Sequence, residues 1–135
     1  MDSSQGSNAV SASKAVHCIF VADDNHLIRK LLGRQLETKG FKFRGFECGS
    51  ELLEQAQAQP QAVQAIILDQ TMPRLSGIEV AERLKQGGYE IPIILMSGDP
   101  YPIAERAQAI GVPILAKPFT FDTLHELLSS ALRLS

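Results

Sequence analysis

Four short apolar runs punctuate the chain, and each stops at a polar residue. Residues 18–22 run into Asp23-Asp24, 65–68 into Asp69, 93–96 into Ser97 and 112–116 into Lys117. Runs of this length without polar alternation suit strands buried on both faces. The segments between them carry apolar residues at helical spacing. A first strand over 16–22 is followed by a helix to about Lys39, capped by Asp24-Asn25 and stopped at Gly40, with Leu27, Ile28, Leu31, Leu32 and Leu36 as its apolar stripe. Residues 41–46 alternate Phe41/Phe43 with Lys42/Arg44, the pattern of an edge strand with one wet face. A helix over 50–59 ends at Pro60, and 65–68 form the third strand.

Past that strand, Pro73 fixes a loop over 70–76. Ser76 caps a third helix to Gln86, with Ile78, Val80, Ala81 and Leu84 as its apolar positions and Gly87-Gly88 as its end. The fourth strand covers 91–96, with Pro92 at its start, where a missing N–H is tolerated. A fourth helix follows Tyr101-Pro102 to about Ile110, and Gly111 opens strand five. Either Thr120 or Asp122 caps a last helix holding Leu124, Leu127, Leu128, Leu132 and Leu134. Strands alternating with helices, joined by right-handed crossovers, predict an α/β fold. Its simplest form is a flavodoxin-like, doubly wound, five-stranded parallel sheet in the order 2-1-3-4-5 with five helices. Strands one and three then flank the switch point, and Asp23, Asp24 and Asp69 face one crevice.

Composition narrows the class without changing the fold. The 135 residues suffice for one domain, spanning 15–135, with 44% hydrophobic residues and a formal net charge of −2. Residues 1–14 are rich in Ser, Asn, Gln and Gly and form a flexible leader by composition. No apolar run is long enough to span a bilayer, no signal peptide is visible, and there is neither a basic stripe nor an added helix-turn-helix segment. A cytoplasmic protein that binds neither membrane nor nucleic acid through this domain is expected. Cys18 and Cys48 stand at no metal-binding spacing and read as reduced thiols.

Three clustered carboxylates repel one another unless a cation shares their site. Oxygen donors without paired His or Cys favour a hard ion, and Mg²⁺ is the usual one in phosphate chemistry. A carboxylate beside such an ion and a fixed positive charge can serve as a nucleophile toward phosphorus, forming an aspartyl phosphate. Lys117 supplies the charge and Ser97 a hydroxyl for a phosphoryl oxygen. Each residue alone has a plainer role. A lone Asp after a strand is usually a turn or helix cap, Ser97 serves equally as a turn residue, and His17, His26 and His125 are separate in sequence, His26 reading as a helix-surface residue. Independent caps have no reason to match all four strand ends.

The set of Asp23-Asp24, Asp69-x-x-Met72-Pro73-x-x-x-Gly77, Ser97-Gly98 and Lys117-Pro118-Phe119 resembles the receiver domain of two-component response regulators, the CheY-like family, from Val16 to Leu134. The resemblance implies Asp69 as phosphoacceptor for a histidine kinase or phosphotransfer protein. It implies Mg²⁺ held by Asp24, Asp69 and the backbone carbonyl of Thr71, with Asp23 acting through water. It implies Ser97 and Lys117 as phosphate-binding switch residues and a cis bond before Pro118 that aims the lysine. It also implies that helix one docks the phosphodonor through positions such as His26, Arg29 and Lys30, and that two copies can pair through helix four, strand five and helix five. The family usually has an aromatic three residues before the lysine, and this chain has Ile114 there, so its usual hydroxyl–aromatic relay is expected to be altered.

Such a chain is a switch rather than a turnover enzyme, either free-standing or part of a larger regulator or hybrid kinase. A phosphohydrolase would need a second acid at position 71, where this chain has Thr71, and a flavodoxin-like carrier would not set Asp23-Asp24 against its flavin phosphate. A receiver-like scaffold working without phosphorylation is the remaining alternative, and its downstream target is not encoded in any motif.

Overall fold

A computed structural model describes residues 17–134; the leader, Ala15, Val16 and Ser135 lie outside the described residues. Among the described residues, five parallel strands are interleaved with five α-helices. They are β1 (Cys18–Ala22), α1 (His26–Thr38), β2 (Phe43–Phe46), α2 (Gly49–Ala58), β3 (Val63–Asp69), α3 (Gly77–Gln86), β4 (Ile93–Ser97), α4 (Ala104–Ala109), β5 (Ile114–Ala116) and α5 (Phe121–Leu134), with short 3-10 turns at Pro60–Ala62 and Tyr101–Ile103. The sheet order is β2-β1-β3-β4-β5, as the sequence pattern predicts. The register sets Ala22 beside Leu68 and Asp69 beside Met96, so the ends of β1, β3 and β4 meet at one rim.

Strand alternation sorts the core into two layers. Phe20, Ala22, Ile66, Leu68, Ile93 and Leu95 face α2, α3 and α4, where Leu52, Val80, Leu84 and Ile103 complete the packing. Ile19, Val21, Ala65, Ile67, Ile94 and Met96 face α1 and α5, against Leu32, Leu36, Leu124 and Leu128. Burial on both faces is what makes these strands continuous apolar runs, each fully buried Ile or Leu contributing about 1.5–3 kcal/mol.

The helix ends follow their local chemistry. Asn25 Oδ1 accepts the Ile28 N–H at 3.1 Å to start α1. Ser76 and Glu79 form a reciprocal capping box on α3, and Thr120 Oγ1 accepts the Thr123 N–H on α5.

The structure corrects two sequence expectations, the α1 stripe and the start of β5. The α1 stripe is split: Leu32 and Leu36 are buried, whereas Leu27, Ile28 and Leu31 are exposed, Leu27 to 74% and Leu31 to 52%. Helix α4 follows a 3-10 turn at Tyr101–Ile103 and runs over Ala104–Ala109, where the sequence places it. Strand β5 is three residues long and begins after Pro113, which has no N–H for a ladder. Strand β3, by contrast, extends from Val63 through Asp69.

Candidate functional site

The rim at the carboxyl ends of β1, β3, β4 and β5 gathers the predicted polar residues. Asp69 is the last residue of β3 and only 3% exposed, and Asp23, one residue past β1, is 2% exposed. Asp24 is exposed beside it. Ligand oxygens of Asp23, Asp24 and Asp69 lie within 4.8 Å of one another, close enough to share one cation.

Each acid has a different local partner. Asp69 Oδ1 accepts from Lys117 Nζ at 2.6 Å, an ion pair that joins the ends of β3 and β5. Asp23 Oδ1 accepts the Asn25 N–H at 2.9 Å, but its Oδ2 is buried with no hydrogen-bond partner. Burial, chiefly, lifts the Asp23 carboxyl above its ordinary value; the Asn25 N–H opposes that shift, while the charges of Asp69 and Asp24 add to it. An orphaned carboxylate oxygen, two neighbouring acids and no nitrogen or sulfur donor fit a hard divalent cation, and Mg²⁺ suits that donor set. Thr71 lies in the loop that follows Asp69.

Ser97 ends β4 and is buried; its hydroxyl accepts the Asp99 N–H at 3.1 Å, which ties it to the β4–α4 loop. The backbone N–H of Lys117 bonds the Ser97 carbonyl at 2.8 Å, and the Lys117–Pro118 peptide is cis. Ile114 opens β5, half-buried against the α2–α3–α4 core layer.

The loop after Asp69 is held from below. Gln70 Oε1 accepts the Ile78 N–H, and the Gln70 carbonyl accepts the Gly77 N–H at 3.1 Å. A Cβ on Gly77 would lie 2.6 Å from the Asp69 carbonyl oxygen, so the glycine is what lets α3 start directly beneath the acid.

Two residues in the site carry roles the sequence reading did not assign. Arg29, expected on the partner-facing surface, is partly exposed there, and its Nη1 also donates to the Asp23 carbonyl at 2.6 Å. Gln70, passed over as loop, anchors the start of α3. Both act on backbone groups, which residue-type patterns do not reveal. His26 is exposed beside Arg29, as a surface residue.

Comparison with known proteins agrees with this geometry. The response regulator receiver domain family matches residues 19–129. The transcriptional regulatory protein FixJ of Bradyrhizobium diazoefficiens is 34% identical over 122 residues, covering 85% of this chain and 56% of FixJ. The peroxide stress-activated histidine kinase mak3 of Schizosaccharomyces pombe is 33% identical over 118 residues, covering 82% of this chain and 5% of mak3. The response regulator TrrA of Thermotoga maritima, solved in complex with Mg²⁺ and BeF, superposes with a TM-score of 0.77 at 29% identity, over 86% of this chain and 99% of that one. The chain thus spans about half the length of FixJ and a small part of mak3. Among the described residues, no helix is long and apolar enough to cross a membrane.

Proposed function

The chain belongs to the response regulator receiver domain family, and on that premise we propose that it is a phosphorylation-driven switch with Asp69 as its phosphoacceptor. The observation that carries this reading is the 2.6 Å pairing of Asp69 with Lys117 beside two further carboxylates at one sheet rim. An Asp69 oxygen forms a bond to phosphorus as the N–P bond of a donor phosphohistidine breaks and the imidazole leaves. Asp24, Asp69 and the Thr71 carbonyl would hold Mg²⁺, with Asp23 acting through water. When bound, the ion neutralises charge on the incoming phosphoryl group.

Lys117 then moves from the carboxylate to a phosphoryl oxygen, and the Ser97 hydroxyl leaves the Asp99 N–H for another. The phosphodonor, a histidine kinase or phosphotransfer protein, docks on the exposed apolar ridge Leu27, Ile28 and Leu31 of α1, beside the rim. The rearranged face formed by α4, β5 and α5 is read by a partner, by a linked output domain or by a second copy.

The test is intact mass after incubation with acetyl phosphate and Mg²⁺. One phosphoryl adduct is expected, dependent on Mg²⁺ and absent in Asp69→Asn. A folded parent that takes no adduct would refute the phosphoacceptor reading and leave a receiver-like scaffold that works by binding alone.

A further inference from the structure

Holding three carboxylates together before any cation arrives requires a rigid turn, and the β1–α1 turn is braced from an unexpected side. The Asp23 N–H is paired with the Phe46 carbonyl at 3.1 Å, the last bond that ties this segment to β2. The Asp23 carbonyl lies just past the ladder. Arg29 Nη1 reaches back from α1 and donates to it at 2.6 Å, a short charge-assisted bond. That carbonyl belongs to the peptide joining Asp23 to Asp24, so the bond fixes the plane from which both carboxylates project.

The guanidinium is itself held. Arg29 Nη2 lies 3.2 Å from His26 Nδ1. The Arg29 stem passes over Gly45, where a Cβ would stand 3.1 Å from both Cγ and Cδ. A bare glycine on β2 thus gives the stem its path.

We propose that Arg29 is a positioning residue for the cation site, setting the Asp23–Asp24 peptide so that both acids converge with Asp69. This rests on the proposed Mg²⁺ role of the acid cluster. Charge and position make opposite predictions. As a bare positive charge near the site, Arg29 opposes cation binding, so removing it would tighten Mg²⁺. As a brace, its removal loosens the acids and weakens Mg²⁺.

The experiment is calorimetric titration of the full chain with MgCl₂, for the parent, Arg29→Met and Arg29→Lys, with Asp24→Asn as the site control and melting temperatures alongside. Methionine keeps an apolar stem over Gly45; lysine keeps the charge on a side chain one atom shorter. Both variants are expected to bind Mg²⁺ about ten-fold more weakly, in the range found when groups that orient metal ligands are removed, while melting within a few degrees of the parent. Unchanged or tighter binding in Arg29→Met overturns the proposal, as does full affinity in Arg29→Lys, which would show that the reach of the guanidinium to the Asp23 carbonyl is not needed. A lowered melting temperature with unchanged affinity would make Arg29 merely structural and likewise overturn it. A parent that binds no Mg²⁺, or binds it equally as Asp24→Asn, overturns the reading of the acid cluster itself and the Arg29 role with it.

Discussion

Gly77 shows how one missing side-chain atom shapes the chemistry eight residues away. Its place in the Asp69-x-x-Met72-Pro73-x-x-x-Gly77 spacing is visible in the sequence; its reason is not. Only in the fold does its absent Cβ leave room for the Asp69 carbonyl and Leu95 Cδ1, at 2.6 and 2.7 Å from where that atom would stand. Since the nearest obstacle is backbone, Gly77→Ala must shift α3 or the acid. A loss of about 1–3 kcal/mol is expected, together with slower adduct formation from acetyl phosphate. Chemical denaturation and adduct kinetics on the folded variant check the two parts separately. The acids, Ser97 and Lys117 are legible because each ends an apolar run. Arg29 is not, since its partner is a carbonyl that any residue would offer, and neither is the left-handed backbone at Arg74 (φ 69°), which a sequence reading assigns first to glycine or asparagine.

At the scale of elements, periodicity found α1 but not its orientation. Leu27, Ile28 and Leu31 continue the stripe of Leu32 and Leu36, and spacing alone does not say which edge of a wide stripe meets the sheet. The exposed edge beside the acidic rim is the surface proposed to meet the phosphodonor. Leu27→Ser with Leu31→Ser is therefore expected to slow transfer from a phosphohistidine protein at least ten-fold, about 1.4 kcal/mol by the usual conversion, and to leave adduct formation from acetyl phosphate unchanged. Equal slowing with both donors would place the defect in the site rather than in docking. The start of β5 slipped for a different reason: Pro113 has no N–H for the ladder, so the strand begins at Ile114 rather than at Gly111. Within β5, Ile114 is half-buried against the core at the position where the family usually has an aromatic, so an altered relay is proposed. Phosphorylation itself is expected to be the same in Ile114→Tyr. The shift changes it causes on α4, β5 and α5 should be larger in the variant than in the parent, as read from amide spectra with and without acetyl phosphate. Equal changes would show that isoleucine transmits the signal as well as an aromatic does.

For the whole molecule, the switch point concentrates repulsion that the rest of the fold must withstand. Both core layers converge on β1 and β3; Asp23 and Asp24 directly follow the first, and Asp69 ends the second. Without a cation the cluster opposes folding: Asp23 is buried and its carboxyl is displaced upward, so its ionised form is held at a cost that the unfolded chain does not bear. A cation that binds only the folded state reverses this by mass action. At ten times its dissociation constant, Mg²⁺ adds RT ln 11, about 1.4 kcal/mol, which for a domain of this size is a rise of roughly 5 °C in Tm. Asp24→Asn is expected to abolish that rise and, by removing one of three like charges, to melt at or above the Tm of the Mg²⁺-free parent. Scanning calorimetry of both proteins in EDTA and in Mg²⁺ separates the two effects. A variant that melts well below the Mg²⁺-free parent would mean that Asp24 stabilises the turn by itself, and that the acids are held together by the fold more firmly than their mutual repulsion drives them apart.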